Sequence, residues 1–345
     1  MSATTTIEWT DATWNPITGC TKVTPGCDNC YAETFAERWR GIPGHHFENG
    51  FDLTLRPNAL TMPLRWRKPR KVFVNSMSDL FHKVVPDSYI AHVFAIMALT
   101  PQHTYQVLTK RHGRMRSLLK SHAFVAQVDG YREEIRPGCG DFDWPLPNVW
   151  LGVSVEDQKR ADLRIPALVE TLAAVRFLSC EPLLGPVDLS AWMPAGPANW
   201  RCQEPSCRCY FTGPLQRHCP NCGADGMWTG SHTGNGRPNG QPIGWVIAGG
   251  ESGPGARPMS PDWARALRDQ CSAAEVPYLF KQWGAYQPTG YMAIGASDKG
   301  CVFVGEPIDD LGHRWEMRRV GKRAAGRELD GRTWDQFPTT TGVAS

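Results

Sequence analysis

The chain has 345 residues, a net charge of +3 and only 21% charged residues, which excludes a disordered polyelectrolyte. Its 41% hydrophobic content is enough, at this length, to bury a full core without covalent staples, and 34 Gly and 28 Pro promise abundant loops. The 12 cysteines are therefore not needed to hold the fold together.

Residues 1–10 are polar and lack the basic and apolar regions of a signal peptide. No stretch reaches the roughly eighteen consecutive apolar residues of a membrane span. A cytoplasmic, reducing compartment is expected, where clustered cysteines bind metal or do chemistry more often than they form disulfides.

Taken in chain order, short apolar runs rich in β-branched and aromatic residues occur at 71–79, 105–110, 149–156, 175–181, 245–251 and 277–281. Near-continuous runs of this length read as strands buried on both faces. Helix-length segments lie between them at 87–99, 157–172 and 261–274, the last opening with Pro261 directly after Ser260. This alternation predicts an α/β fold, a full or partial (β/α) barrel of about six to seven units. Such barrels build their sites at the C-terminal ends of the strands. Those ends carry Ser76, Ser78, Asp79, Lys110, Ser154, Glu156, Ser179, Glu181, Glu251 and Lys281.

The rhythm breaks after residue 184. A Pro/Gly-rich stretch holding five cysteines is too long for a structureless loop, so it reads as an inserted subdomain. The expected division is a barrel over 1–185 and 241–290, a zinc-ribbon insert over 186–240 and a basic C-terminal extension over 291–345.

The cysteines form two clusters of unlike spacing. Cys20, Cys27 and Cys30 follow a Cys-x6-Cys-x2-Cys pattern, with Pro25-Gly26 bending the loop. Three thiols fall one short of a closed tetrahedral zinc site, and His45 or His46 are candidates for a fourth ligand. The same three thiolates on a four-iron cluster would leave one iron open to a ligand. In the insert, His218-Cys219-Pro-Asn-Cys222-Gly223 has the form of a zinc-knuckle turn. Cys202 and Cys207 are its expected partners, with Cys209 as the alternative to Cys207, which would close a structural zinc site.

Several segments together resemble the phage-associated three-cysteine-motif family, which is radical-SAM-like. They are Glu8-Trp-Thr-Asp-Ala-Thr-Trp-Asn-Pro-Ile-Thr-Gly-Cys20, Cys27-Asp-Asn-Cys-Tyr-Ala-Glu33, Asn75-Ser-Met-Ser-Asp-Leu-Phe81, Leu151-Gly-Val-Ser-Val-Glu156, Gly249-Gly-Glu-Ser-Gly253 and Lys281-Gln-Trp-Gly284. The resemblance implies a [4Fe–4S] cluster on Cys20, Cys27 and Cys30, with S-adenosylmethionine (SAM) chelating the fourth iron. It also implies an electron donor, whose electron cleaves SAM to a 5′-deoxyadenosyl radical. The first cysteine gap is three residues longer than the Cys-x3-Cys-x2-Cys spacing usual in radical-SAM enzymes.

SAM needs partners for its amino group and ribose and an apolar wall for adenine. Ser76, Ser78 and Asp79 end the second strand, where related enzymes contact the amino group. Ser154 and Glu156, two apart, share a face as ribose partners would, and Glu181 with Ser179 has the same parity. By that parity Cys180 points to the helices as a packed core thiol. Gly249-Gly250-Glu251 resembles the Gly-Gly-Glu of the wider superfamily but stands on a late strand; its glycines permit close backbone approach.

Basic residues crowd 65–71, 110–116 and 318–327. If they converge they make a phosphate-binding surface. The expectation is thus a radical-SAM-type enzyme acting on a nucleic acid or nucleotide-derived substrate. The alternative is a non-catalytic, zinc-stabilised nucleic-acid-binding protein.

Overall fold

Seven parallel strands form the central sheet of the protein, seen in a computed structural model that describes residues 5–194, 198–202, 207, 210–213, 226–228, 242–292 and 300–339. In chain order the elements begin with β1 (Ala12–Trp14), β2 (Ile17–Thr18), α1 (Tyr31–Glu37), β3 (Thr54–Leu55), α2 (Pro57–Leu60), β4 (Lys71–Val74) and α3 (Asp87–Ala98). They continue through β5 (Thr104–Thr109), α4 (His112–Leu119), α5 (His122–Ile135), β6 (Val149–Ser154), α6 (Gln158–Val169) and β7 (Val175–Cys180). The insert contributes β8 (Ala198–Cys202), β9 (Tyr210–Gly213) and β10 (Gly226–Trp228). The chain then runs through β11 (Trp245–Gly249), α7 (Pro261–Ala273), β12 (Tyr278–Gln282), β13 (Tyr286–Met292), β14 (Cys301–Val304), β15 (Arg314–Arg319) and α8 (Lys322–Ala325).

The sheet order is β1-β4-β5-β6-β7-β11-β12, which is the order of the chain with no reversal. A doubly wound sheet would reverse at a switch point. Here every crossover advances in one direction, so right-handed connections put all the helices on one face and the sheet curls around the other. The result is a seven-stranded partial barrel. The two faces can be read residue by residue. Val72, Val74, Tyr105, Val107, Leu151, Val153, Leu178, Cys180, Val246 and Ala248 join the helices in the main core. Their neighbours Phe73, Trp150, Phe177, Trp245, Ile247 and Leu279 pack with Trp9 into a second, inner core. That aromatic plug fills the lower half of the barrel. Gly152 serves it directly, because a Cβ there would fall 2.5 Å from the Phe177 ring.

The segment read from sequence as a basic C-terminal extension contains regular strands. β13, β15 and β14 form an antiparallel sheet whose Trp315 and Met317 are buried. Beyond α8 the chain returns to the barrel. Asp335 bridges antiparallel to Leu279, Trp245 Nε1 donates to the Gln336 carbonyl (2.9 Å), and the Phe337 ring sits 5.2 Å from that of Trp245. This return covers the open edge of β12 and closes the floor of the plug.

Within the insert, β10-β8-β9 make a small antiparallel sheet where the sequence offered no strand periodicity. Of the proposed zinc ligands, Cys202 ends β8 and Cys207 lies between β8 and β9, while Cys209, Cys219 and Cys222 lie outside the described residues. No helix among the described residues is long and apolar enough to cross a membrane.

Candidate active site at the barrel mouth

Above the aromatic plug, inward positions change from rings to polar groups, and a cavity opens. Cys20, Cys27 and Cys30 all line it, together with Asn75, Ser76, Ser78, Asp79, Lys110 and Ser154. The other sequence candidates, Glu156, Glu181, Gly249, Gly250 and Glu251, are not among its lining residues. They build the ground beneath and beside it.

Two carboxylates help fasten the cysteine loop to the barrel. The first is Glu156, beyond the end of β6. Its Oε1 accepts from Thr24 Oγ1 (2.8 Å), its Oε2 from Arg164 Nη1 (2.9 Å), and Lys110 Nζ lies 3.8 Å away. Lys110 Nζ also donates to Ser154 Oγ (3.1 Å), so Ser154 and Glu156 face one cation. Thr24 Oγ1 in turn lies 4.0 Å from Cys27 Sγ. Gly26 makes this seat possible, since a Cβ at that position would lie 2.4 Å from the Glu156 side chain.

The second is Glu251, after β11. Arg257 grips its carboxylate through Nε (2.9 Å) and Nη2 (2.7 Å), and Asn29 Nδ2 donates to it as well (3.0 Å). The same guanidinium reaches the Pro25 carbonyl (2.7 Å) and Asp28 (3.3 Å). Glu251 is therefore spent on holding the loop that carries Cys27 and Cys30. Burial alone would raise its carboxyl, but the Arg257 and Asn29 hydrogen bonds outweigh that and hold it below its ordinary 4.5. A depressed folded value means the contribution is complete above pH 4.5 and lost as pH falls through the folded value. Glu251→Gln is expected to cost about 1–3 kcal/mol at pH 7. Chemical denaturation from pH 7 to 3 should show the wild-type advantage vanishing in acid; an unchanged gap would contradict the clamp.

The glycines beside Glu251 have steric work. A Cβ at Gly249 would meet Glu181 Oε1 at 2.5 Å, and one at Gly250 would meet the Trp283 carbonyl at 2.0 Å. Glu181 is held in that space by Lys281 Nζ (3.2 Å) and faces Ser179 Oγ (3.4 Å). Cys180, between them in sequence, is fully buried in the main core, where burial drives its thiol well above the usual range.

The residues ending β4 divide sharply. Ser78 Oγ donates to the Ile17 carbonyl (2.9 Å) and Ser76 Oγ to Asn15 Oδ1 (3.2 Å). Asp79 is saturated by Thr109 Oγ1 (2.7 and 2.9 Å) and the amides of Phe81 and Lys110 (both 3.0 Å). Asn75 is different. It is 2% exposed, neither end of its amide has a partner, and its backbone is left-handed at φ 60°. A buried unpaired amide on a strained backbone marks a group kept for a ligand. It stands first in the Asn75–Phe81 motif, yet sequence reasoning passed over it for its hydroxyl and carboxylate neighbours.

All three cavity thiols are free. Burial, then the Asp79 charge, pushes the Cys20 thiol above its usual value, and Arg111 at 3.9 Å offsets this only in part. No group of three or more His, Cys, Asp or Glu among the described residues is arranged to hold a single ion. The suggested fourth ligands are occupied elsewhere: His45 stacks on Trp39 at 4.3 Å and His46 packs against Phe47 at 4.7 Å. Three sulfur donors lining one cavity are the donor chemistry that an iron–sulfur cluster takes. The residues present fit that group.

The basic runs do not all converge. Lys71 opens β4 and lies over the Phe337 ring at the barrel floor, whereas Lys110 follows β5 at the mouth, the opposite end of a parallel sheet. Arg114 is bound to Asp87 and to the His82 and Val85 carbonyls, and Arg116 to Glu170 (2.8 Å). Arg319, from the tail run, does reach the mouth, donating to the Gly253 carbonyl (2.8 Å).

The fold and site define a partial (β/α) barrel protein with a three-thiol cavity at the C-terminal mouth of its strands. Residues 4–338 match a family described as "Protein of unknown function (DUF5131)", and the chain belongs to that family. Searches of curated proteins and of solved structures gave no match.

Proposed function

We propose that the protein is a radical-SAM-type enzyme that holds a [4Fe–4S] cluster on Cys20, Cys27 and Cys30 and binds SAM at the same cavity. The observation that carries this reading is the gathering of three free thiols around one cavity at the barrel mouth, beside a buried amide with no partner. When bound and reduced by an external electron donor, the cluster supplies the electron that cleaves SAM to a hydrogen-abstracting radical. The chain's own part is positional. Thr24 and Arg257 fix the cysteine loop, Asn75 offers one donor and one acceptor to SAM, and Lys110 holds a positive charge against Ser154. The aromatic plug closes the barrel floor, which keeps solvent from reaching the cavity from below. The substrate class proposed is a nucleic acid or a nucleotide derivative, in a reducing cytoplasm, and a structural zinc on the insert cysteines completes the account.

The test is anaerobic incubation of iron-loaded protein with dithionite and SAM. 5′-Deoxyadenosine is the expected product; its absence from cluster-loaded protein would remove the radical chemistry. Asn75→Gly gives a sharper check on the binding assignment. Glycine accepts the left-handed backbone and deletes the unpaired amide, so the ligand-free protein should gain about 1–2 kcal/mol by thermal or chemical denaturation. SAM affinity measured by calorimetry should fall about tenfold or more. Lower stability with unchanged affinity would make Asn75 a structural residue.

A further inference from the structure

A second space adjoins the thiol cavity. A groove of about 720 Å³ runs along α1, bounded by residues 5–7, by Thr13 and Asn15 of the β1 region, and by 252–254 after β11. It shares Tyr31 and Ser76 with the cavity, and the Tyr31 hydroxyl donates to the Ser76 carbonyl (2.5 Å), so the Tyr31 ring partitions the two spaces. One face of α1 forms its wall. Tyr31, Thr34, Phe35 and Arg38 recur at helical spacing, and all four line the groove. Tyr31 is 57% and Phe35 45% exposed, unusual for large rings on one helix face. Phe35 is buttressed from behind by Phe47 (5.6 Å) and Trp39 (6.5 Å).

Charge points the same way. The described lining residues include Arg38 and no carboxylate. Nearby acids are already matched: Glu37 and Asp52 with Arg40, Glu33 with Lys22 (2.9 Å), and Glu8 with Lys322 (3.8 Å). On the far rim Arg319 sits on Gly253, itself a lining residue. Exposed rings in line, flanked by arginines and free of unpaired acids, are the arrangement that single-stranded nucleic acid requires, with bases on rings and phosphates on guanidinium groups.

We propose that this groove binds a single-stranded nucleic acid, stacking bases on Tyr31 and Phe35 and placing phosphates at Arg38 and Arg319. Tyr31 then stands where the strand meets the thiol cavity. The inference supplies the substrate class of the proposed enzyme and rests on that reading for its catalytic meaning, although binding itself needs no cluster.

The experiment is fluorescence anisotropy of the full chain with labelled ten-nucleotide RNA and DNA single strands and a duplex of the same sequence, across a salt series. Single strands should bind more tightly than duplex. Phe35→Leu, which keeps the packing on Phe47, should weaken binding about five- to hundredfold. Arg38→Gln should lower the slope of log affinity against log salt by about 0.7. No binding of either single strand at low salt, preference for duplex, or unchanged affinity in both variants would overturn the proposal. Iron content and 5′-deoxyadenosine formation on the same preparations separate the two claims. A groove that ignores nucleic acid in an iron-loaded, SAM-cleaving protein sinks only this inference, and binding by an iron-free wild type sinks only the enzyme.

Discussion

Protein purified without oxygen is expected to be brown and to carry about four irons per chain, and Cys27→Ala is expected to abolish that iron. Cys27 is the decisive position because its loop is fixed by groups that do not bind metal. Thr24 is anchored on Glu156, and the Pro25 carbonyl on Arg257, so removing the thiol leaves the loop in place. Loss of iron with an unchanged melting temperature would therefore report the ligand and not the fold. Cys180→Ala is the control in the opposite sense. That thiol is buried among core side chains on the helix side of the sheet, and its removal should cost stability by leaving a small cavity while sparing iron. Full iron content in Cys27→Ala, or a colourless wild type containing only zinc, would favour the zinc-stabilised scaffold.

The largest stability effect is expected at Arg164. It forms a 2.9 Å ion pair with Glu156, and both side chains are only 1% exposed. Arg164 Nη1 also donates to the Ser154 carbonyl (2.8 Å), and Nη2 reaches Thr24 Oγ1 (3.3 Å). Arg164→Met leaves the buried Glu156 charge with the Thr24 hydroxyl at 2.8 Å and the Lys110 ammonium at 3.8 Å but without its close ion pair, and breaking such a pair costs about 3–5 kcal/mol. The double variant Arg164→Met/Glu156→Gln removes the stranded charge and should recover much of that loss. Chemical denaturation of the two variants decides it: equal instability would mean the pair acts only through its packing. Because Glu156 seats Thr24, the single variant should also load iron poorly at temperatures where it remains folded.

Much of this site was readable from parity along the strands. Ser154 with Glu156 and Ser179 with Glu181 fall on the inner face, and Cys180 on the outer, because side chains alternate regardless of what they do. Strand ends therefore announced themselves. What holds them did not. Arg164 lies on a helix whose sequence reads as amphipathic, where an arginine is normally solvated; only the tertiary approach of Glu156 turns it into a buried partner. Arg257 follows a Gly/Pro loop with no periodicity, so its reach to Pro25 and Asp28 could not be inferred. Asn75 was hidden by its type, since an asparagine after a strand usually means a turn. The strands of the C-terminal segment were hidden for a related reason. β13 holds Pro288 and Gly290, which break the strand pattern, and Phe337 finds its place only against Trp245 from the far end of the barrel.

Electron paramagnetic resonance of the reduced, iron-loaded protein before and after SAM addition tests the central claim most directly. An iron with no thiolate from the chain should take SAM as its ligand, so the cluster signal is predicted to shift when SAM is added. A signal indifferent to SAM would mean that the fourth iron is already ligated, and the catalytic reading of the cavity would be lost.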